Sequence, residues 1–212
     1  MSDTQPFDEP AAENIHVKVA RKVDIVVIGA GQAGLSSAYH LNRLGLAGER
    51  QFVVLDKAPG AGGAWQFRWP SLTLKTANAI HDLPGMKFED IVETENGEVR
   101  ASVAVPQYYR AYEEKFDLPV HRPVTVRVVC DRGERLRVET DQGNYSARGG
   151  VINATGTWET PYVPPYPGSQ LFRGQQLHTR DYQTAGGEFR GKRVLVVGAG
   201  ISAVQLLDEY RA

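Results

Sequence analysis

One device occurs twice in this chain, and it constrains the fold more than any other feature. "VDIVVIGAGQAGLSSAYHL" runs from Val23 to Leu41, and "RVLVVGAGISAVQLLDEY" runs from Arg193 to Tyr210. Each reads as an apolar run, a glycine turn and the start of a helix. A mostly β-branched run closed by glycine suits a parallel strand buried on both faces. In the first copy Leu35, Ala38, Tyr39, Leu41 and Leu44 recur at helical spacing, with Gly45 as the helix stop. "QFVVLD", Gln51 to Asp56, supplies the next strand. The result is a βαβ unit and an α/β fold class.

The first turn is spaced Gly29-x-Gly31-x-x-Gly34, the Rossmann-type dinucleotide pattern, with strand before and helix after. Each glycine is there for a physical reason. Gly29 permits the tight turn, Gly31 lets the backbone come close to a pyrophosphate, and Gly34 lets helix pack closely on strand. The helix N-terminus offers unpaired N–H groups and a partial positive charge to the phosphates. Asp56, ending the second strand about 20 residues further on, can accept hydrogen bonds from both ribose hydroxyls. The second turn, Gly198-x-Gly200-x-x-Ala203, follows Val194–Val197, which is expected to be another buried strand. The residue that would separate NAD from NADP lies beyond Ala212. Two dinucleotide sites imply electron traffic between two dinucleotides, usually a flavin and a nicotinamide.

Between the two devices, residues 57–85 are rich in Gly, Pro and aromatics and read as an ordered loop. Pro106 to Phe116 reads as a short amphipathic helix with proline in its first turn. Val124–Val129, Arg135–Thr140 and Tyr145–Arg148 form a three-stranded antiparallel meander, with "DRG" and "DQGN" at the turns. Gly150–Ala154 is a separate buried strand ending in "TG". "TPYVPPYPG", Thr160 to Gly168, is a stiff extended connector.

Several classes are excluded on simple grounds. The formal net charge of −1 calls for no nucleic acid, and no apolar run approaches the roughly 20 residues needed to span a bilayer. The polar N-terminus has no secretory core. Cys130 is the sole cysteine, so a dithiol redox pair within these residues is excluded, and it is expected as a small buried hydrophobe on a strand. His16, His40, His81 and His121 lack ligand spacing, so no metal site is expected. No Ser sits in a GxSxG context.

On four stretches the chain resembles the flavin-containing monooxygenases and related two-dinucleotide-binding-domain flavoproteins, over residues 22–212. They are "GAGQAGLS", "GGAW" (Gly62–Trp65), "NATGTWETPYVPPYPG" (Asn153–Gly168) and "FRGQQLHTRDY". In the last, Phe172, Gly174, His178 and Tyr182 match a pattern that precedes the second glycine turn in that group. The resemblance implies that FAD is reduced by NADPH or NADH and reacts with O2 to give a peroxyflavin, which transfers one oxygen atom to a small organic substrate. By position, Gly29, Ala30, Gly31, Gln32 and Gly34 would hold the FAD pyrophosphate, with Asp56 and Lys57 at the adenosine ribose. Gly63, Ala64 and Trp65 would run beside the flavin, and Thr155 would end a strand near it. Val126 would touch the adenine through its backbone. Gly198, Gly200, Ser202 and Ala203 would hold the nicotinamide cofactor's pyrophosphate. His178 and Tyr182 would exert conformational control over the nicotinamide domain; the alternative is a packed linker element. Asn78 is a candidate to face the flavin in place of the asparagine that the amine-oxidising members carry; the alternative is a turn-capping residue. No catalytic residue is assigned.

The expected layout is a tail at 1–21, an incomplete FAD-binding domain at 22–160, a crossover at 161–192 and the first strand and helix of an NAD(P)-binding domain at 193–212. On this reading the chain is the N-terminal portion of a longer protein or a truncated product, cytoplasmic, with its activity alone and a homodimer both left open. A flavin-dependent NAD(P)H reductase and a non-catalytic FAD-binding module remain as alternatives.

Overall fold

The computed structural model describes residues 19–77, 79–93, 97–187 and 189–210. At its centre is β1 (Val19–Ile28), followed by α1 (Gln32–Arg43) and β2 (Phe52–Leu55). β1 and β2 run parallel, with Ile25 opposite Phe52 and Ile28 opposite Leu55. This is the expected βαβ unit. Alternation along the strands sends side chains to two separate cores. Val27, Phe52 and Val54 meet Leu35, Ala38 and Leu41 of α1 on one face; Val26, Val53 and Leu55 meet Val138, Tyr145 and Ala147 on the other. Each such buried aliphatic side chain contributes roughly 1.5–3 kcal/mol.

α1 stops where its chemistry says it should. Gly45 takes φ +84°, its N–H donates to the Asn42 carbonyl, and the Leu46 N–H donates back to the Leu41 carbonyl. This pair of bonds is a Schellman ending, closed by Leu46 packing into the same core as Leu41.

α2 (Ala101–Lys115) is longer than the expected Pro106–Phe116. Ala101, Ala104 and Val105 are fully buried, and that burial carries the helix back past the proline. Pro106 therefore lies inside the helix rather than in its first turn, where it removes one ladder donor.

β3 (Val120–His121), β4 (Val126–Asp131), β5 (Leu136–Thr140) and β6 (Gly143–Asn153) complete one six-stranded sheet, ordered β3-β2-β1-β6-β5-β4. β3, β2, β1 and β6 are mutually parallel; β5 and β4 are antiparallel to their neighbours. The expected meander exists, but its last strand and the expected separate strand Gly150–Ala154 are one element. β6 pairs with β5 through Gly143–Ala147 and with β1 from Asn144 to Asn153, passing the Gly149–Gly150 pair as an irregularity of register rather than a turn. The meander is thus an extension of the same sheet. Cys130, on β4, is half-buried rather than buried.

α3 (Ile201–Glu209) follows the second glycine turn as expected. Val194–Val197 does not form the expected buried strand. It pairs with no described strand, and Val194, Leu195 and Val197 are exposed. An extended run without ladder partners has nothing to hold it in strand geometry. α3 itself is anchored: Leu206 joins Trp69, Leu72, Ala77, Ala101 and Tyr182 in a third core, flanked by Trp65 and Tyr210.

Candidate functional site

The first glycine turn is built by steric necessity. Gly29 holds φ +99°, and a Cβ there would lie 2.5 Å from the Ala154 carbonyl oxygen, so the turn and the end of β6 touch backbone to backbone. A Cβ on Gly34 would fall within the van der Waals sphere of the Gly29 carbonyl oxygen, 2.9 Å from its carbon. Gly34 is what lets α1 lie directly on the end of β1. Gly31 differs: its φ is −82°, and a Cβ there would meet nothing within 4 Å. The backbone at Gly31 borders open space at the start of α1, and no side chain caps that helix. Ala30 is fully buried beneath the turn, while Gln32 is exposed. The donors of the first helical turn are therefore free to meet an anion brought up to Gly31. This cradle fits a dinucleotide pyrophosphate.

The "GGAW" stretch comes to the same place. It forms a 3-10 helix, Gly63–Phe67, and a Cβ on Gly63 would lie 2.9 Å from the Gly31 Cα. Behind it, a Cβ on Gly62 would lie 2.7 Å from the Pro106 ring of α2. Ala64 and Trp65 are half-buried. Trp65 packs against both the α1–α2 core and the third core. Burial pushes the phenol of Tyr109 well above the usual tyrosine range, so it stays a neutral hydroxyl there. Thr155 closes the other side of the turn, its Cα 3.3 Å from where a Gly29 Cβ would stand, and its hydroxyl donates to Asn153 Oδ1 at 2.9 Å.

Asp56 stands just past β2 and is buried, 7% exposed. Its N–H donates to the His121 carbonyl at 3.0 Å, and its carbonyl accepts from the Val124 N–H at 2.8 Å. These bonds bring the segment leading into β4, and so Val126, to its side. One of the two carboxylate oxygens of Asp56 already has a partner. Oδ2 accepts from Arg122 Nε at 2.8 Å. The guanidinium also grips Glu113 of α2, with NH1 to Oε2 and NH2 to Oε1, each at 3.0 Å. Burial alone would lower the Arg122 pKa, but the Glu113 and Asp56 carboxylates outweigh it and hold the pKa above the ordinary value. Lys57 makes an exposed ion pair with Glu159, 3.0 Å.

The second turn is assembled differently. Gly198 has φ +132°, and Cβ atoms at Gly198 or Gly200 would meet nothing within 4 Å. Ser202 is half-buried and Ala203 buried. α3 is tied to the first half of the chain through Glu209, whose Oε1 accepts from Ser71 Oγ at 2.6 Å and from the Ala185 N–H at 2.9 Å. His178 Nδ1 accepts from the Arg180 N–H at 3.1 Å, and the Tyr182 ring packs edge-on against Trp69. Asn78 lies outside the described residues.

Sequence reasoning missed Arg122, Glu113 and Arg68. Arg68 lies over Trp158 at 4.5 Å and Trp65 at 5.5 Å, and its Nε is buried with no hydrogen-bond partner among the described residues. Burial lowers its pKa. A basic residue directly after an aromatic segment, with Trp158 also nearby in the ATG stretch, was the available signal. Among the described residues no group of His, Cys, Asp and Glu could hold a metal ion, and no helix is long and apolar enough to cross a membrane.

Residues 26–210 match the family described as pyridine nucleotide-disulphide oxidoreductase. An uncharacterised CzcO-like oxidoreductase of Geobacillus kaustophilus is 35% identical over 88% of this chain, which spans 51% of that relative. A flavin-containing monooxygenase from Stenotrophomonas maltophilia of known structure is 41% identical, with TM-score 0.67, covering 78% of this chain and 48% of its own. An oxidised steroid monooxygenase bound to NADP is 27% identical, with TM-score 0.58, over 89% of this chain and 36% of its own. The chain thus spans about half the length of the curated relatives it matches first.

Proposed function

The chain belongs to the pyridine nucleotide-disulphide oxidoreductase family, and from that premise we propose that it is the FAD-binding portion of a monooxygenase that uses a nicotinamide cofactor. The observation that carries the proposal is the convergence of three distant stretches on one cradle: the open Gly31 backbone, Gly63 against it, and Thr155 behind Gly29. The disulphide chemistry in the family's description needs a second thiol that these 212 residues do not supply, since Cys130 stands alone. The likeness to flavin-containing and steroid monooxygenases supports oxygen transfer instead.

In this reading Gly31, Gln32 and the first turn of α1 receive the FAD pyrophosphate, with Gly29 and Gly34 setting the geometry of the turn and Ala30 beneath it. Asp56 takes the adenosine ribose, and Val126 lies on the adenine side. Gly63, Ala64, Trp65 and Thr155 border the flavin, and Lys57, next to Asp56 and ion-paired with Glu159, stands at the ribose end. Gly198, Gly200, Ser202 and Ala203 present the start of α3 to a nicotinamide cofactor, with NADP favoured over NAD by the NADP-bound relative. FAD held by these residues would supply the chemistry of O2 activation at the expense of the nicotinamide cofactor's two electrons, one oxygen atom going to a small organic substrate and the other leaving as water. The chain's contribution is to bind, orient and cover, with Trp65, packed against two cores, covering one side of the cradle. The proposed division is an FAD-binding unit at 22–160, a crossover at 161–192 and the opening of a nicotinamide unit from 193. A cytoplasmic setting agrees with it.

The test is to purify the chain, measure its flavin content, and follow oxygen uptake with NADPH and with NADH in the presence of a thioether or amine. Stoichiometric FAD supports the binding assignment, and absence of FAD after reconstitution overturns it. Reduction of bound flavin without oxygen incorporation into any substrate would favour the reductase reading.

A further inference from the structure

Building on the FAD reading above, we propose that Arg122 is a positioning residue that aims the Asp56 carboxylate, leaving Oδ1 as the oxygen that receives a ribose hydroxyl. The side chains of Asp56 and Arg122 are 9% and 13% exposed, so both charges have largely left water. Two carboxylates share one guanidinium, which leaves the cluster with one uncompensated negative charge.

The sharing is unequal. Glu113 has both oxygens bonded in a fork, whereas Asp56 has only Oδ2 bonded, to the Nε edge. The described hydrogen bonds leave Oδ1 for an incoming donor. Oδ1 is not among the buried polar atoms that lack a partner, so it keeps access to the outside, where the neutral O–H donors of a sugar can reach it without adding charge. The fork to Glu113 fixes the guanidinium plane, and that plane fixes the rotation of the Asp56 carboxylate. The main-chain bonds from Asp56 to His121 and Val124 hold the two residues in register, so the carboxylate cannot swing away with its backbone. α2 thereby braces both ends of the cradle, with Pro106 against Gly62 at the phosphate turn and Glu113 at the ribose end.

FAD is titrated into apoprotein by flavin fluorescence, for the unsubstituted chain and for Arg122→Met, Arg122→Lys, Asp56→Asn and the Asp56→Asn/Arg122→Met double variant, with thermal unfolding of each. Arg122→Met is expected to weaken FAD binding by about ten- to a hundredfold, the scale of one charge-assisted hydrogen bond. The double variant should lose no more than Asp56→Asn alone, because Arg122 acts only through that carboxylate. Arg122→Lys should restore part of the affinity, since an ammonium can hold Oδ2 but cannot fork both carboxylates. If Arg122→Met does not fold, Arg122→Lys and its combination with Asp56→Asn close the same cycle. FAD affinity within threefold of the unsubstituted chain for a folded Arg122 variant overturns the proposal, as do losses that add in the double variant. No FAD binding by the unsubstituted chain would sink the functional reading itself; FAD binding indifferent to Arg122 sinks only this assignment.

Discussion

Substituting Gly31 by valine separates binding from folding more cleanly than any other change in the chain. The backbone at Gly31 (φ −82°, ψ −169°) is open to any residue, and a Cβ would touch nothing within 4 Å. Valine is a poorer N-cap than glycine by about 1 kcal/mol, and a stiffer unfolded chain returns roughly 0.4–1 kcal/mol. The net effect on stability is close to zero, equivalent to a melting shift of no more than about 3 °C for a domain of this size. Binding should respond very differently. Three new carbons would occupy the space that a pyrophosphate needs in order to reach the first-turn N–H groups of α1. Loss of two charge-assisted hydrogen bonds at about 1.5–3 kcal/mol each raises Kd by on the order of a hundredfold or more. Gly31→Ala, one carbon instead of three, should fall between. The assay is a fluorescence titration of apoprotein with FAD, paired with thermal unfolding by circular dichroism. A Gly31→Val chain that melts normally and binds FAD within threefold of the parent would refute the cradle.

Gly34→Ala should do the reverse, costing roughly 2–4 kcal/mol of stability because its Cβ collides with the Gly29 carbonyl, as judged from denaturant midpoints. Trp69→Ala opens the third core and should cost about 3–5 kcal/mol, loosening α3 in hydrogen exchange before the rest of the sheet. Burial raises the Glu49 pKa, but the His121 and Arg21 hydrogen bonds prevail and hold it below its ordinary 4.5. The folded form therefore binds this proton less readily than the unfolded chain does. Glu49 contributes stability above that ordinary value and loses it as pH falls through its lowered folded value. Glu49→Gln should thus lower the melting temperature slightly at pH 7 and by less as the pH is taken down toward 3; an equal shift at both pH values would contradict this.

The βαβ unit is legible because every signal in it is local: the β-branched run, the glycine spacing and the Gly45 stop lie within reach of one another along the chain. β6 is misread for the same reason. The expected strands end at Arg148 and begin again at Gly150, yet β5 holds the first part of β6 and β1 carries the same strand on through the glycines. The start of α2 escapes notice because "ASVAV" has no helical signature of its own and becomes helix only through burial. At the site, the glycines and Asp56 can be named in advance, whereas the Asp56–Arg122–Glu113 cluster joins β2, the turn before β4 and α2, and no spacing announces it. Val194–Val197 shows the limit from the other side: a strong strand pattern pairs with no strand among the described residues.

The position of β1 between β2 and β6 has a consequence for how the chain is made. β2 reaches β1 through one helix, but Val26 meets Val151 only after α2, the meander turns and β5 have emerged. Pairing that distant is slow, because the loop must close before its contacts can reward it. Until β6 arrives, a nascent chain carries a strand that is apolar on both sides with one edge open, which is a template for pairing with another copy. Expression yield should therefore depend on how quickly residues 143–153 follow. Slowing translation between α2 and β6 should raise aggregation without altering the stability of the molecules that do fold.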